Sequence, residues 1–78
     1  MAKTTIWHSG GLYIVATAKR AGIQYGRAVN LAAGSVGPEE PTDTIARMSG
    51  GGDWEEFRGN PGPILKLLAR HRQGPPSS

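Results

Sequence analysis

Two stretches of alternating character, joined by a two-residue break, restrict this chain more than any other feature. From Leu12 to Lys19, the residues Leu12, Ile14, Ala16 and Ala18 fall on one side and Tyr13, Val15, Thr17 and Lys19 on the other. From Ile23 to Ala33, the residues Ile23, Tyr25, Arg27, Val29 and Leu31 share a side. A period of two over this length belongs to extended backbone, where successive side chains point to opposite faces. With Ala21-Gly22 as a two-residue turn, Ile14 faces Val29 and Leu12 faces Leu31, forming one apolar patch. A slip of one residue would bring Leu12 opposite Asn30 and break it. A four-residue loop from Lys19 to Gly22 would keep the same faces, so the pairing is better determined than the turn type.

Glycine and proline mark the remaining boundaries. A short β-branched run, Lys3 to His8, precedes Gly10-Gly11 and supplies a third strand. Beyond Gly34-Ser35-Val36-Gly37-Pro38 the period changes. Pro38, Glu39 and Glu40 suit a first helical turn, where a missing N–H costs nothing and carboxylates meet the positive end of the dipole. Pro41 makes that start ragged, and the alternative is a helix that begins after Thr42 and runs through Ile45 and Met48 to the triple glycine at 50–52. Asp53 followed by Glu56 resembles a capping box for a short helix carrying Trp54 and Phe57. Pro63 opens the clearest helix, Ile64 to Arg72, which Gly74 and Pro75 stop. Ile64, Leu67, Leu68 and His71 share one of its faces, and Lys66, Arg70 and Arg72 flank them, the late cations complementing the negative helix end. The expected architecture is α+β: a three-stranded antiparallel sheet followed by two or three short helices packed on one face, the other face being left to solvent or a partner. Residues 1–73 form a single domain in this reading and 74–78 a disordered tail.

Size bounds the function. Seventy-eight residues make one domain, and a chain this short buries only about 60% of its unfolded surface. With 37% apolar residues and five aromatics, Trp7, Tyr13, Tyr25, Trp54 and Phe57, a large internal ligand cavity would consume the core. The absence of cysteine excludes disulfide staples and the common structural zinc sites and fits a reducing compartment. No apolar run approaches the ~20 residues that span a bilayer, and no signal-peptide stretch follows the N-terminus. A cytoplasmic location is expected. Nine Lys and Arg against six Asp and Glu leave a charge of +3, which favours an acidic partner such as nucleic acid, a nucleoprotein or an acidic protein face.

Catalysis finds no constellation. His8 and His71 lie at opposite ends of the sequence, and Ser9 beside His8 is a neighbour pair without an orienting group. The carboxylates cluster at expected helix starts, which is a structural role. Gly50-Gly51-Gly52-Asp53 lacks the lysine and hydroxyl of a phosphate-binding loop and reads as a connector. No enzyme activity, cofactor or metal site is expected.

One alternative is a DNA-binding regulator. Ala18-Lys19-Arg20-Ala21-Gly22-Ile23-Gln24-Tyr25 resembles the turn of a helix-turn-helix of the lac-repressor type, with Ala28 and Leu31 at its later apolar positions. That resemblance implies that Gln24, Tyr25 and Arg27 read base edges or phosphates from a second helix. Against it stand the β-branched run from Leu12 to Thr17, with poor helix propensity, Gly26 inside the would-be recognition helix, and the lack of a supporting helix upstream.

The strand reading instead gathers Lys3, Lys19, Arg20 and Arg27 around a sheet that also carries Trp7, Tyr13 and Tyr25. Cations interleaved with aromatic rings suit nucleic-acid stacking or a protein hot spot, although each ring could equally fill the thin core. Trp7, Tyr13, Lys19, Arg20 and Arg27 are the candidate contacts.

Phe57-Arg58-Gly59-Asn60-Pro61-Gly62 is similar to the F-x-G-x-P-G link between the helices of one group of small phage-encoded anti-CRISPR proteins, those inhibiting the type I-F surveillance complex. Val29, Asn30 and Gly34 also find places on that group's third strand. The resemblance implies a three-stranded sheet followed by two helices and a protein that binds a bacterial CRISPR complex and blocks target DNA from pairing with guide RNA. It implies a contact role for an aromatic on the first strand, which Trp7 approximately matches. The chain departs from the group where Lys19 stands near the place of a second contact aromatic, and where the third strand has no counterpart of a contact glutamate. The function expected is stoichiometric, steric inhibition of a bacterial protein or nucleoprotein complex, with direct nucleic-acid contact possible and no membrane involved.

Overall fold

A computed structural model describes residues 4–49 and 53–72. Its elements, in chain order, are β1 (Ile6–Ser9), β2 (Leu12–Arg20), β3 (Ile23–Asn30), β4 (Ser35–Val36), β5 (Glu40–Pro41), α1 (Thr42–Met48), β6 (Glu55–Glu56) and α2 (Gly62–Arg72). The class is α+β, but the sheet is wider than the three strands expected. It runs β4-β3-β2-β1-β6, all antiparallel, with β5 also pairing with β3. The additions are short edge pieces of two residues each. None carries enough alternation to be read from sequence, and each forms because an existing strand offers it a ladder of backbone partners.

The β2–β3 turn is the two-residue one. Arg20 pairs with Ile23, and Ala21 and Gly22 both have positive φ, +52° and +77°. These values belong to a type I′ turn, whose twist matches that of the strands it joins. Farther from the turn the register departs from expectation. Ala18 pairs with Tyr25 but Ala16 with Gly26, so Thr17 is an extra residue in β2. This β-bulge offsets every pair beyond it: Val15 lies opposite Arg27, Ile14 opposite Ala28 and Tyr13 opposite Val29. Ile14 and Val29 therefore point to opposite faces, and the patch of Leu12, Ile14, Val29 and Leu31 does not form. Leu31 lies beyond the end of β3 in the 31–34 turn.

The bulge is what allows both faces to be covered. On one face Ile6, Val15 and Val29 form a buried cluster with Ile64 and Leu68 of α2, flanked by Tyr13, Val36, Phe57 and Leu67. On the other, Ile14 is 2% exposed, and Ile14 and Trp7 line a cleft shared with Thr42 and Ala46 of α1 and with Trp54. Ile45 of α1 is also buried. The two helices thus pack on opposite faces, correcting the expectation of one covered and one free face. Each fully buried aliphatic side chain contributes roughly 1.5–3 kcal/mol, and dividing them between two layers keeps each layer thin.

Each helix begins one residue earlier than the sequence places it, α1 at Thr42 and α2 at Gly62. Asn60 caps the start of α2, its Oδ1 accepting from the Gly62 N–H at 3.0 Å. The short helix expected from Asp53 is instead an edge strand. Glu55 and Glu56 pair with His8 and Trp7, and the Phe57 N–H donates to the Ile6 carbonyl. Pairing along a ready-made edge outweighs a local cap over four residues. The expected 74–78 tail and the 50–52 connector lie outside the described residues.

Candidate basic hairpin arm

The β2–β3 hairpin outreaches its neighbours. β1 follows β2 only as far as Val15, with one more bond from the Ala16 N–H to the Thr5 carbonyl at 3.0 Å. β5 follows β3 only at Gly26 and Tyr25. From Ala18 to Gln24 the strands pair only with each other, forming an arm with Lys19, Arg20, Ala21, Gly22 and Ile23 all exposed. Ile23, at 47% exposure, is a large apolar side chain left in the open.

One side of the arm carries an ordered group. The Arg20 guanidinium carbon lies 4.2 Å from the centre of the Tyr25 ring, a stacked cation–π arrangement. Arg20 Nη2 donates to Glu39 Oε1 at 3.1 Å, and the Thr17 hydroxyl donates to Glu39 Oε2 at 2.6 Å. The Thr17 bond is the larger cause, and that of Arg20 the second, of a Glu39 carboxyl held below its ordinary value of 4.5; the nearby charges of Arg20 and Arg27 act in the same direction. The bulge residue Thr17 is thus one of the two groups that hold Glu39 against the arm. Arg27 is half-buried, its Nη1 donating to the Gly37 carbonyl at 2.8 Å. That bond ties β3 to the segment bearing Glu39.

The five candidate contacts do not share one surface. Arg20 and Arg27 lie on the α2 side of the sheet, near Glu39. Lys19 projects from the opposite side of the arm and is exposed. Trp7 is on the α1 side, half-buried in a cleft of about 220 Å³ with Ile14, Gln24, Asp43 and Trp54. Tyr13 is on the α2 side but toward the far end of β2, where its ring meets Phe57 edge-on at 5.3 Å and lies 6.2 Å from His8. Lys3 lies outside the described residues. Sequence reasoning missed Glu39 and Thr17 as arm components. Glu39 is 19 residues from Arg20 and sits in a Pro-Glu-Glu run that imitates a helix start, so no local signal linked them.

A guanidinium held over a ring and bonded through one nitrogen still presents donors outward. It can bind carboxylate, phosphate or carbonyl oxygens on a partner with little further loss of side-chain freedom. Opposite it in the ladder, Ile23 supplies apolar contact, and Lys19 supplies charge on the other side of the arm. No group of three His, Asp or Glu comes together among the described residues, and no helix among them is long and apolar enough to cross a membrane. The stretch that a helix-turn-helix would need as two helices is this β-hairpin, and Gly22 is its turn residue. Comparison with known protein families, with curated proteins and with solved structures finds no match for this chain.

Proposed function

We propose that this chain is a non-enzymatic binding protein that inhibits a bacterial nucleoprotein machine by steric occlusion, docking through its hairpin arm. The observation that carries this reading is the arm itself: a projecting two-stranded element whose tip combines exposed Ile23 and Lys19 with an Arg20 stacked on Tyr25 and steadied by Glu39. Preorganised arginine and aromatic side chains at a protruding tip are what a small interface uses as anchors. Their charge suits an acidic face, or one that handles nucleic acid. The link in the sequence at residues 57–62 supports a CRISPR surveillance complex as the target. In that setting the bound protein excludes target DNA from the guide-bearing surface. Trp7, Tyr13 and Arg27 are assigned supporting roles, Trp7 and Tyr13 by packing and Arg27 by anchoring the Glu39 segment to β3.

The test is titration of the protein into a purified type I-F surveillance complex, followed by target-duplex binding and size-exclusion chromatography. Co-elution and loss of target binding at about one equivalent are expected. The Lys19→Glu/Arg20→Glu variant should lose both while retaining the wild-type circular dichroism spectrum. Undiminished inhibition by that folded variant would remove the arm from the interface. Absence of co-elution by the wild type would remove the target.

A further inference from the structure

The positive charge of this chain is concentrated in two segments that hold no carboxylate, the β2–β3 hairpin with Lys19, Arg20 and Arg27, and α2. Three of its nine cations, Lys66, Arg70 and Arg72, lie in α2, which has no acidic residue. The six cations that remain elsewhere equal the six carboxylates of the whole chain. α2 carries +3, as does the hairpin, and the rest of the chain carries −3. Outside α2 some charges are also paired in space, Arg20 with Glu39 at 3.1 Å and Arg58 with Glu56 at 3.5 Å. Neither Lys66 nor Arg70 forms an ion pair with any described residue.

The helix is arranged to present that charge. Ile64 and Leu68 are buried against the sheet with Leu67 beside them. Leu65, Lys66, Ala69 and Arg70 are exposed. Lys66 and Arg70, four residues apart, stand on the same side of the helix about 6 Å apart along its axis. The helix dipole accounts for cations in the last turn but not for Lys66, which lies nearer the N-terminus.

We infer that the outer face of α2 is a second contact surface, which lies along the phosphate backbone of a nucleic acid. Two cations in a row, with small Ala69 between them and no aromatic ring on the same face, fit a line of regularly spaced anionic groups better than a protein hot spot, which needs a bulky anchor. A membrane surface is a poorer fit. The apolar side of the helix is already spent on the sheet, and Leu65, 36% exposed, is all that remains for insertion. This inference is independent of the arm reading, which rests on other residues and on a protein docking surface.

The experiment measures binding of the full chain to a fluorescent 20-base-pair DNA duplex by anisotropy between 50 and 200 mM salt. Each phosphate contact adds about 0.9 to the slope of log affinity against log salt. Lys66→Ala/Arg70→Ala should lower that slope by about 1.8, which makes the loss of affinity across this fourfold salt range about twelve-fold smaller than for the wild type. Both side chains are exposed, and an unchanged circular dichroism spectrum establishes that the variant folds. Lys19→Ala/Arg20→Ala should keep the wild-type slope, even where it abolishes docking on the surveillance complex. The inference is overturned by absence of duplex binding at 50 mM salt, by an unchanged slope in the α2 variant, or by equal or tighter binding to anionic vesicles or polyglutamate.

Discussion

The γ-methyl of Thr42 lies directly over the bare Cα of Gly26. A Cβ at Gly26 would stand 3.0 Å from Thr42 Cγ2 and 2.5 Å from the carbonyl oxygen of Val15. The first residue of α1 thus seats on β3 at the point where β2 and β3 resume regular pairing beyond the bulge. Gly26→Ala must displace a strand carbonyl as well as the helix, and overpacking of this kind costs about 1–3 kcal/mol. Urea unfolding should show that loss without a large change in m-value.

The hairpin turn leaves room for improvement. Ala21 occupies left-handed backbone at φ +52°, a conformation that costs an alanine roughly 1–2 kcal/mol and that asparagine tolerates far better. Ala21→Asn, which produces the Asn-Gly pair favoured in type I′ turns, should stabilise the protein by about 1 kcal/mol. For a domain of this size that corresponds to a rise of about 4–8 °C in Tm. Thermal unfolding followed by circular dichroism checks it.

Deleting Thr17 would restore an unbroken register between β2 and β3. It would keep Ala16 opposite Gly26, Val15 opposite Arg27, Ile14 opposite Ala28 and Tyr13 opposite Val29, so each residue stays in its layer. The deletion is expected to leave a protein that unfolds cooperatively, weakened by loss of the Thr17 bond to Glu39. Ile14→Ala and Ile64→Ala, which hollow out the two layers separately, should each leave a folded protein weakened by roughly 2–5 kcal/mol. A deletion variant that no longer melts cooperatively would show that the extra residue itself, and not the pairs on either side of it, holds the two layers together.

Glu39 makes stability depend on acidity. Its carboxyl titrates below 4.5 in the folded chain because Thr17, first, and Arg20, second, bond to the ionised form. The unfolded chain therefore binds this proton more readily, and stability rises with pH across the interval below 4.5. The contribution is complete above that value and is lost as pH falls through the folded-state value. Glu39→Gln should flatten this part of the acid limb, while the wild type and variant should differ by a constant amount above about pH 6. Chemical unfolding at a series of pH values from 3 to 7 distinguishes the two curves.

Much of this architecture is legible from local chemistry. Ala21-Gly22 marks the turn, the change of period after Pro38 marks where strands give way to helices, and Thr42 and Pro63 mark helix starts. What escapes is non-local. Thr17 is β-branched and suits a regular strand as well as a bulge, so nothing in its vicinity announces that β2 has one residue too many. Glu55-Glu56 joins the sheet because β1 leaves an edge open, a cause that sits almost fifty residues away. The candidate site was readable in part for similar reasons. Lys19, Arg20 and Arg27 are visible as cations on strands, and alternation from the two-residue turn puts Lys19 on the face opposite Arg20 and Arg27, but the partner that fixes Arg20 is distant in sequence. The charge of α2 was in plain view at Lys66, Arg70 and Arg72. It becomes informative only when Lys66 and Arg70 are seen to stand exposed on one side of the helix, outside every ion pair among the described residues.

The flank formed by β4 and β5 has a further consequence for how these molecules coexist when crowded. Along it, Pro38 and Pro41 have no N–H to offer, and Glu39 and Glu40 place two carboxylates between them. An incoming strand meets missing donors and mutual repulsion, so this border of the sheet cannot serve as a template for stacking copies into fibres.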